Sequence, residues 1–334
     1  MLLKKDLLAI VLAGASLFAA TTTTSTRISI AYIPRSTGNP YYDGVIDGFR
    51  HGCAVLGCDF TTIGPATSDA TSQIPFVAAQ TQRGVNVIAI TPNSPDALNP
   101  MFDRARRRGT HVFSINTDMP GNQSHREAAI LPVDFTKIGP SQIELMGSLI
   151  GYAGDIAILT TTTDAPDQNL WVEDMKRVLA GSPKYARMKL VTVAYGNDDP
   201  QKSTTETEAL ITNYPNLKGI IAPTAVGLAA AAQAVETAKK VKQIKVTGLG
   251  TPNQMRRFIQ NGTVTAFQLW SPYNEGLLAA YFVVGLEKGT IKNVPGTTFD
   301  VPGVGKMTIG KDNVINTQSD LTVFNRSNID QFHF

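Results

Sequence analysis

Two polar segments hold the side chains best suited to recognising a small molecule. In Pro34-Arg-Ser-Thr-Gly-Asn-Pro-Tyr-Tyr42 a cation, hydroxyls, an amide and two adjacent tyrosines stand close together; in Asp164-Ala-Pro-Asp-Gln-Asn-Leu-Trp171 the polar residues Asp167, Gln168 and Asn169 run consecutively. Flat aromatic faces beside amide and hydroxyl groups match a neutral polyhydroxylated ligand, because a sugar ring has apolar C–H faces and a rim of donors and acceptors. The same residues have plainer uses. Asn39 and Asp167 can each cap a helix, and Tyr41 or Tyr42 can lie under one. Since adjacent residues on a helix point in different directions, one tyrosine can line a pocket while the other is buried. Trp270, in Phe267-Gln-Leu-Trp-Ser-Pro-Tyr273, ends an apolar run and is either core or a stacking wall.

Catalytic patterns are missing by comparison. The four histidines, His51, His111, His125 and His333, stand in no motif with a Ser or Cys nucleophile, and neither H-E-x-x-H nor G-x-S-x-G occurs. Gly248-Leu-Gly-Thr-Pro lacks the G-x-G-x-x-G spacing and its later acidic partner. No catalytic residue, metal ligand or cofactor is therefore assigned. The only two cysteines, Cys53 and Cys58, form either a local disulfide at a helix end or two separately buried thiols. The basic run Arg104 to Arg108 closes a helix, where cations suit the dipole; it is a solvated face or a contact for a partner protein.

These segments need elements to hold them, and the apolar pattern supplies them. Strands are expected at 28–33, 59–63, 87–91 and 111–115, with helices at 41–56, 71–83 and 95–108 between them. The rhythm restarts with strands at 154–159, 189–194, 219–222 and 245–247, and helices at 167–179, 201–213, 225–238 and around 253–260. Fully apolar strands alternating with amphipathic helices imply parallel βαβ units covered on both faces. The fold class is α/β, with two successive doubly wound units. Ligands of such sheets bind outside the carboxyl ends of the strands. That rule selects the loops 34–42, 92–96, 116–118, 160–169, 223–227 and 248–253, which include both segments above.

Composition agrees. The 334 residues carry 30 Lys and Arg against 27 Asp and Glu, a formal net charge of +3, with 43% hydrophobic and 17% charged residues. A disordered chain would need more charge and fewer apolar residues, and a nucleic-acid binder would need a basic surplus. No nucleic-acid partner is expected. At the start, Lys4 and Lys5 precede an apolar stretch from Leu7 to Ala20 that is short for a membrane span, the pattern of a secretory signal peptide. The Thr-rich stretch to residue 26 reads as a leader, and export would place the protein in the periplasm.

In order and spacing the chain resembles the periplasmic sugar-binding proteins of ABC importers, of the ribose-binding type. The resemblance spans Ile28 to Phe332 and is nearest to the rhamnose-binding and autoinducer-binding branches. It rests on Gly154-Asp-Ile-Ala-Ile-Leu-Thr-Thr-Thr-Thr, Asp167-Gln-Asn-Leu-Trp, Tyr214-Pro-Asn-Leu-Lys-Gly-Ile-Ile-Ala-Pro-Thr-Ala-Val-Gly, Val246-Thr-Gly-Leu-Gly-Thr-Pro and Ser327-Asn-Ile-Asp-Gln-Phe. It implies a type I periplasmic binding protein: two lobes joined by a three-crossing hinge near Leu131-Pro132, Gln268 to Ser271 and Val294-Pro295. The lobes would be 27–131 plus 271–294 and 132–270 plus 295–334, after a leader over 1–26.

The resemblance also implies ligand contacts. Asp167 and Gln168 match the autoinducer branch's Asp-Gln pair, and Pro223 and Ala225 its Pro-x-Ala. Arg35 stands where that branch has lysine and Asn116 where it has aspartate, with Asp118 two residues on. Asn39 and Tyr41 or Tyr42 are implied contacts too. A guanidinium and an amide recognise different groups from an ammonium and a carboxylate, so the ligand is expected to differ. The ribose-type hinge aspartate falls near Leu249 and a later glutamine near Trp270, which favours a less polar sugar, a deoxyhexose such as L-rhamnose. The expectation is a monomeric, non-enzymatic substrate-binding protein that closes on a neutral sugar and is read by a membrane permease. The alternatives are an autoinducer, pentose or polyol binder of the same fold, a sugar-sensing regulator, or a secreted enzyme.

Overall fold

The structure is a computed structural model that describes residues 27–317 and 320–334. The leader expected over 1–26 lies outside the described residues. Two parallel sheets form the frame. The first lobe begins β1 (Ser29–Ile33), α1 (Pro40–Leu56), β2 (Asp59–Thr62), α2 (Ile74–Arg83), β3 (Val87–Ile90), α3 (Asn99–Arg107), β4 (His111–Ile115) and β5 (Ala128–Leu131). The second runs α4 (Ile138–Ile150), β6 (Ala153–Thr160), α5 (Pro166–Gly181), β7 (Arg187–Tyr195), α6 (Pro200–Asn213), β8 (Leu217–Ala222), α7 (Ala225–Thr237), β9 (Lys245–Gly248), α8 (Pro252–Gln260) and β10 (Ala266–Leu269). The chain then returns with α9 (Pro272–Glu287), a hairpin of β11 (Thr298–Val301) and β12 (Gly305–Thr308), β13 (Val314–Asn316) and β14 (Thr322–Asn325).

The first sheet has the order β2-β1-β3-β4-β5-β13 and the second β7-β6-β8-β9. A parallel bridge from Leu249 to Gln268 attaches β10 to the second sheet, and β14 pairs antiparallel with β10. In each sheet the first strand lies between the second and third, so the strand order reverses at β1/β3 and again at β6/β8. Those crevices are where a doubly wound sheet takes its ligand.

Period-two alternation sorts the core. Ile30 and Tyr32 point to the α1 and α9 side, while Ala31 and Ile33 pack with Val77 and Phe102 of α2 and α3. In the second lobe Ile156 and Ile158 pack with Ile143, Met146 and Met175, whereas Ala157 and Leu159 face Leu228 and Val235 of α7. Helix α9 lies along α1. Gly48 and Gly276 permit that approach, since a Cβ on either would strike backbone of the other helix.

One boundary differs from the sequence reading. The third crossing was expected near Val294-Pro295, but β13 pairs in parallel with β5, Ile315 opposite Ile130. β13 therefore belongs to the first sheet, whereas β14 pairs with β10 beside the second. The hairpin and the three-residue β13 carry no periodic signal long enough to assign them to a sheet. The cysteines, left open above, form the disulfide Cys53–Cys58 at the end of α1.

Candidate functional site

The two reversal points face each other, and the loops leaving them line a narrow cavity of about 40 Å³. Its wall from the first lobe comprises Arg35, Asn39, Tyr41, Tyr42 and Asn116; from the second come Asp167, Gln168, Trp171, Asp198 and the turn Pro223 to Ala225, with Leu249, Leu269 and Trp270 at the back.

Arg35 leaves β1 and is only 2% exposed. Its loop is held from below: Gln73 Nε2 donates to Pro34 O (3.0 Å) and Thr91 O (2.8 Å), and Asn93 Nδ2 to Arg35 O (2.9 Å). Across the cleft Arg35 Nη2 donates to Asp167 Oδ1 at 2.6 Å, with both side chains 2% exposed. Burial alone would push the guanidinium pKa down, but Asp167 foremost, then Tyr42 and Asp198, raise it, so Arg35 stays charged. Its Nη1 is buried with no protein partner.

Helix α5 begins on Pro166 with Ala165 at its N-cap, so Asp167 is not the cap. It sits in the first turn, where a negative charge suits the helix dipole, and its carboxylate serves Arg35. Gln168 closes the second reversal point: its Oε1 accepts from Thr160 Oγ1 and its Nε2 donates to Pro223 O, both at 2.8 Å. Asn39 has both of its expected roles. Its Oδ1 accepts from Tyr41 N (3.0 Å) as the N-cap of α1, while Nδ2 donates toward Asp198 Oδ2 (3.5 Å) across the cleft.

Tyr41 anchors the aromatic side. Its hydroxyl lies 2.7 Å from Asn116 Oδ1, 2.5 Å from Glu275 Oε2 and 2.7 Å from Trp270 Nε1. Trp270 packs edge-on to Tyr41 and to Trp171, so it is at once core and cavity wall. Trp171 Nε1 is buried without a partner.

Two expected residues stand outside the cavity. Asp118 forms a two-pronged ion pair with Arg126, Nε to Oδ1 and Nη2 to Oδ2 at 2.6 Å each, and does not line the cavity. Asn169 turns back to donate to Thr163 O (2.7 Å) because it lies one position farther round the helix than Gln168. Conversely, Trp171, Asp198, Thr224 and Leu269 line the cavity without having been singled out. Asp198 follows β7, so the rule for strand ends covers it; the sequence reading passed over the loop 196–199. Both Asn197 and Asp198 have positive φ (57° and 53°), and the half-buried Asp198 carboxylate lines the cavity. Thr224 Oγ1 donates to it. Burial raises the Asp198 pKa, opposed by Arg35.

Among the described residues no group of three or more His, Cys, Asp or Glu gathers to hold a metal. The arrangement is suited to binding: paired acceptors and orphan donors surround an apolar back wall in a closed cleft between two lobes.

Residues 30–291 match the periplasmic binding protein domain, and the chain belongs to that family, one of binding proteins and not of enzymes. A D-ribose/D-allose-binding protein of Pseudomonas aeruginosa is 25% identical over 280 residues, covering 79% of this chain and 84% of that protein. An ABC transporter solute binding protein from Clostridium phytofermentas, solved with bound L-rhamnose, is 31% identical with a TM-score of 0.87, over 92% of this chain and 98% of the other. A sugar ABC transporter protein from Actinomyces odontolyticus is 34% identical with a TM-score of 0.72, over 92% and 97%. An AI-2 complex from Clostridium saccharobutylicum shares the fold at 20% identity and a TM-score of 0.85, over 92% of this chain and 100% of that one.

Proposed function

We propose that this protein, a sugar-binding protein of the ABC-transporter type, captures a neutral deoxyhexose, with L-rhamnose the first candidate. The observation that carries this is the division of the cavity wall. One side offers Asp167 and Asp198 as acceptors and Arg35 Nη1 as an unpaired donor, a set that suits adjacent hydroxyls. The other is Leu249, Leu269, Trp270 and the ring of Trp171, against which a methyl group and a sugar's C–H face lose water favourably. The L-rhamnose complex of a 31% identical relative supports the same ligand.

Capture follows from the two-lobe architecture. A ligand touching both walls adds free energy only to the closed state, so it raises the closed population. Micromolar affinity corresponds to about −8 kcal/mol. The Arg35 to Asp167 bond already spans the cleft, so a sugar hydroxyl entering between or beside them joins an existing charged pair. A permease would read the closed form, and export by the N-terminal leader to the periplasm fits this role. No described helix is long and apolar enough to cross a membrane. A monomer suffices for the mechanism.

A thermal-shift screen of the purified protein over L-rhamnose, other deoxyhexoses, D-ribose, D-xylose, polyols and the furanosyl autoinducer tests the proposal. L-rhamnose is expected to raise the Tm and D-ribose to leave it unchanged. Equal shifts, or a shift with the autoinducer alone, would overturn the ligand assignment.

A further inference from the structure

Glu275 is fully buried in the first turn of α9, directly behind the cavity wall, and none of the roles above uses it. Its Oε2 is 2.5 Å from the Tyr41 hydroxyl and its Oε1 has no partner. That hydroxyl has one proton and three neighbours. Trp270 Nε1 can only donate, so it uses one lone pair of Tyr41 Oη. Two oxygens, Asn116 Oδ1 at 2.7 Å and Glu275 Oε2, then compete for the single phenolic proton. All three bonds are made at once if Glu275 is a neutral acid: its O–H donates to Tyr41 Oη, and the phenol donates to Asn116 Oδ1.

We propose that Glu275 is a positioning residue of the sugar site: as a neutral acid it donates to Tyr41, which directs the phenolic proton to Asn116 and turns that amide's NH₂ toward the cavity. The surroundings agree. The charged or titratable groups facing Glu275 are Tyr41 on α1, Tyr32 on β1 and Asp167 on α5; none is a cation, and Asp167 disfavours a second negative charge. An ionised carboxylate with an orphan oxygen would be costly there. Burial above all raises the Glu275 pKa, to about 8, against hydrogen bonds from the Tyr41 hydroxyl and the Asn116 backbone N–H, with a smaller push upward from Asp167. Asn116 has φ 69°, the left-handed conformation that asparagine tolerates better than most residues.

This inference rests on the cavity being the sugar site, and the test separates the two. Calorimetric titration with L-rhamnose from pH 6 to 10 is run on the wild type and on Glu275→Gln, whose amide donates to Tyr41 at every pH. The wild type is expected to hold its affinity up to about pH 8 and then lose it, approaching tenfold per pH unit, while Glu275→Gln stays level. Infrared difference spectroscopy should show a protonated-carboxyl band at neutral pH in the wild type that Glu275→Gln lacks. The same pH slope in both proteins, or no such band, overturns the proposal. Failure of the wild type to bind any sugar of the panel at pH 7 overturns the sugar reading, and the infrared band still judges the proton on Glu275 by itself.

Discussion

Arg35 and Asp167 occupy corresponding places in the two lobes and meet. Each follows the first strand of its sheet, at the point where the strand order reverses, and Arg35 Nη2 donates to Asp167 Oδ1 at 2.6 Å across the cleft. The two lobes thus present opposite charges from equivalent loops. The pair is fully buried, so removing one member strands the other in a medium that cannot solvate it.

Asp167→Ala is therefore expected to weaken sugar binding by at least about 2 kcal/mol, because a buried ligand hydroxyl and Arg35 both lose their acceptor. The structure adds a second expectation: in the closed form the stranded guanidinium costs about 3–5 kcal/mol, so the variant should favour the open form. Calorimetry reads the first effect and small-angle scattering the second. Unchanged affinity would sink the assignment of Asp167 to the ligand.

Trp270→Phe keeps the apolar wall and removes the N–H that donates to Tyr41. The loss of one buried hydrogen bond should cost about 1 kcal/mol in stability, and L-rhamnose should bind less than tenfold more weakly. A loss of a hundredfold or more would mean that the indole N–H meets the sugar directly.

The elevated Glu275 pKa has a consequence for stability with a definite sign. The folded value, about 8, lies above the ordinary carboxyl value of 4.5, so the folded state holds a proton that the unfolded chain releases. The resulting stability is fully present below pH 4.5 and is lost as the pH rises to about 8. Asp198, also raised by burial, acts in the same direction. Denaturant midpoints should fall from pH 5 to pH 8, and Glu275→Gln should flatten much of that slope. A wild-type midpoint that rises across the window would contradict the account.

Reduction of Cys53–Cys58 is expected to matter little to the ligand. The bridge closes a short segment, five residues apart in sequence, at the far end of α1 from Asn39. Loop-closure entropy assigns it about 2 kcal/mol. Urea titration with and without reductant should show a loss near that size, with affinity within twofold; a large drop in affinity would tie the bridge to the cleft.

Most of the frame was legible in the chain because its signals are local. Apolar strands such as Val87–Ile90 and Ile156–Leu159 alternate with helices, and α1, α5, α6, α8 and α9 each begin on a proline, which suits the first helical turn. Those signals also locate the strand ends, and with them Arg35, Asn39, Asn116 and Asp167 on the cavity wall. Where strands are short the signal fails: three-residue β13 gives too few positions to show that it pairs with β5, and the loop carrying Asp198 has no motif to mark it.

By itself the sequence determined the α/β class, the two repeated units and which loops could meet a ligand, since periodicity and turn residues act over a few positions. Only the tertiary structure decided which polar residues are free to act. Asp118 looked as available as Asp167 until Arg126 was found beside it, and Glu275 was one acid among many until it lay behind Tyr41. Burial, pairing and the sharing of one proton among three partners depend on residues far apart in the chain, and the fold alone brings them together.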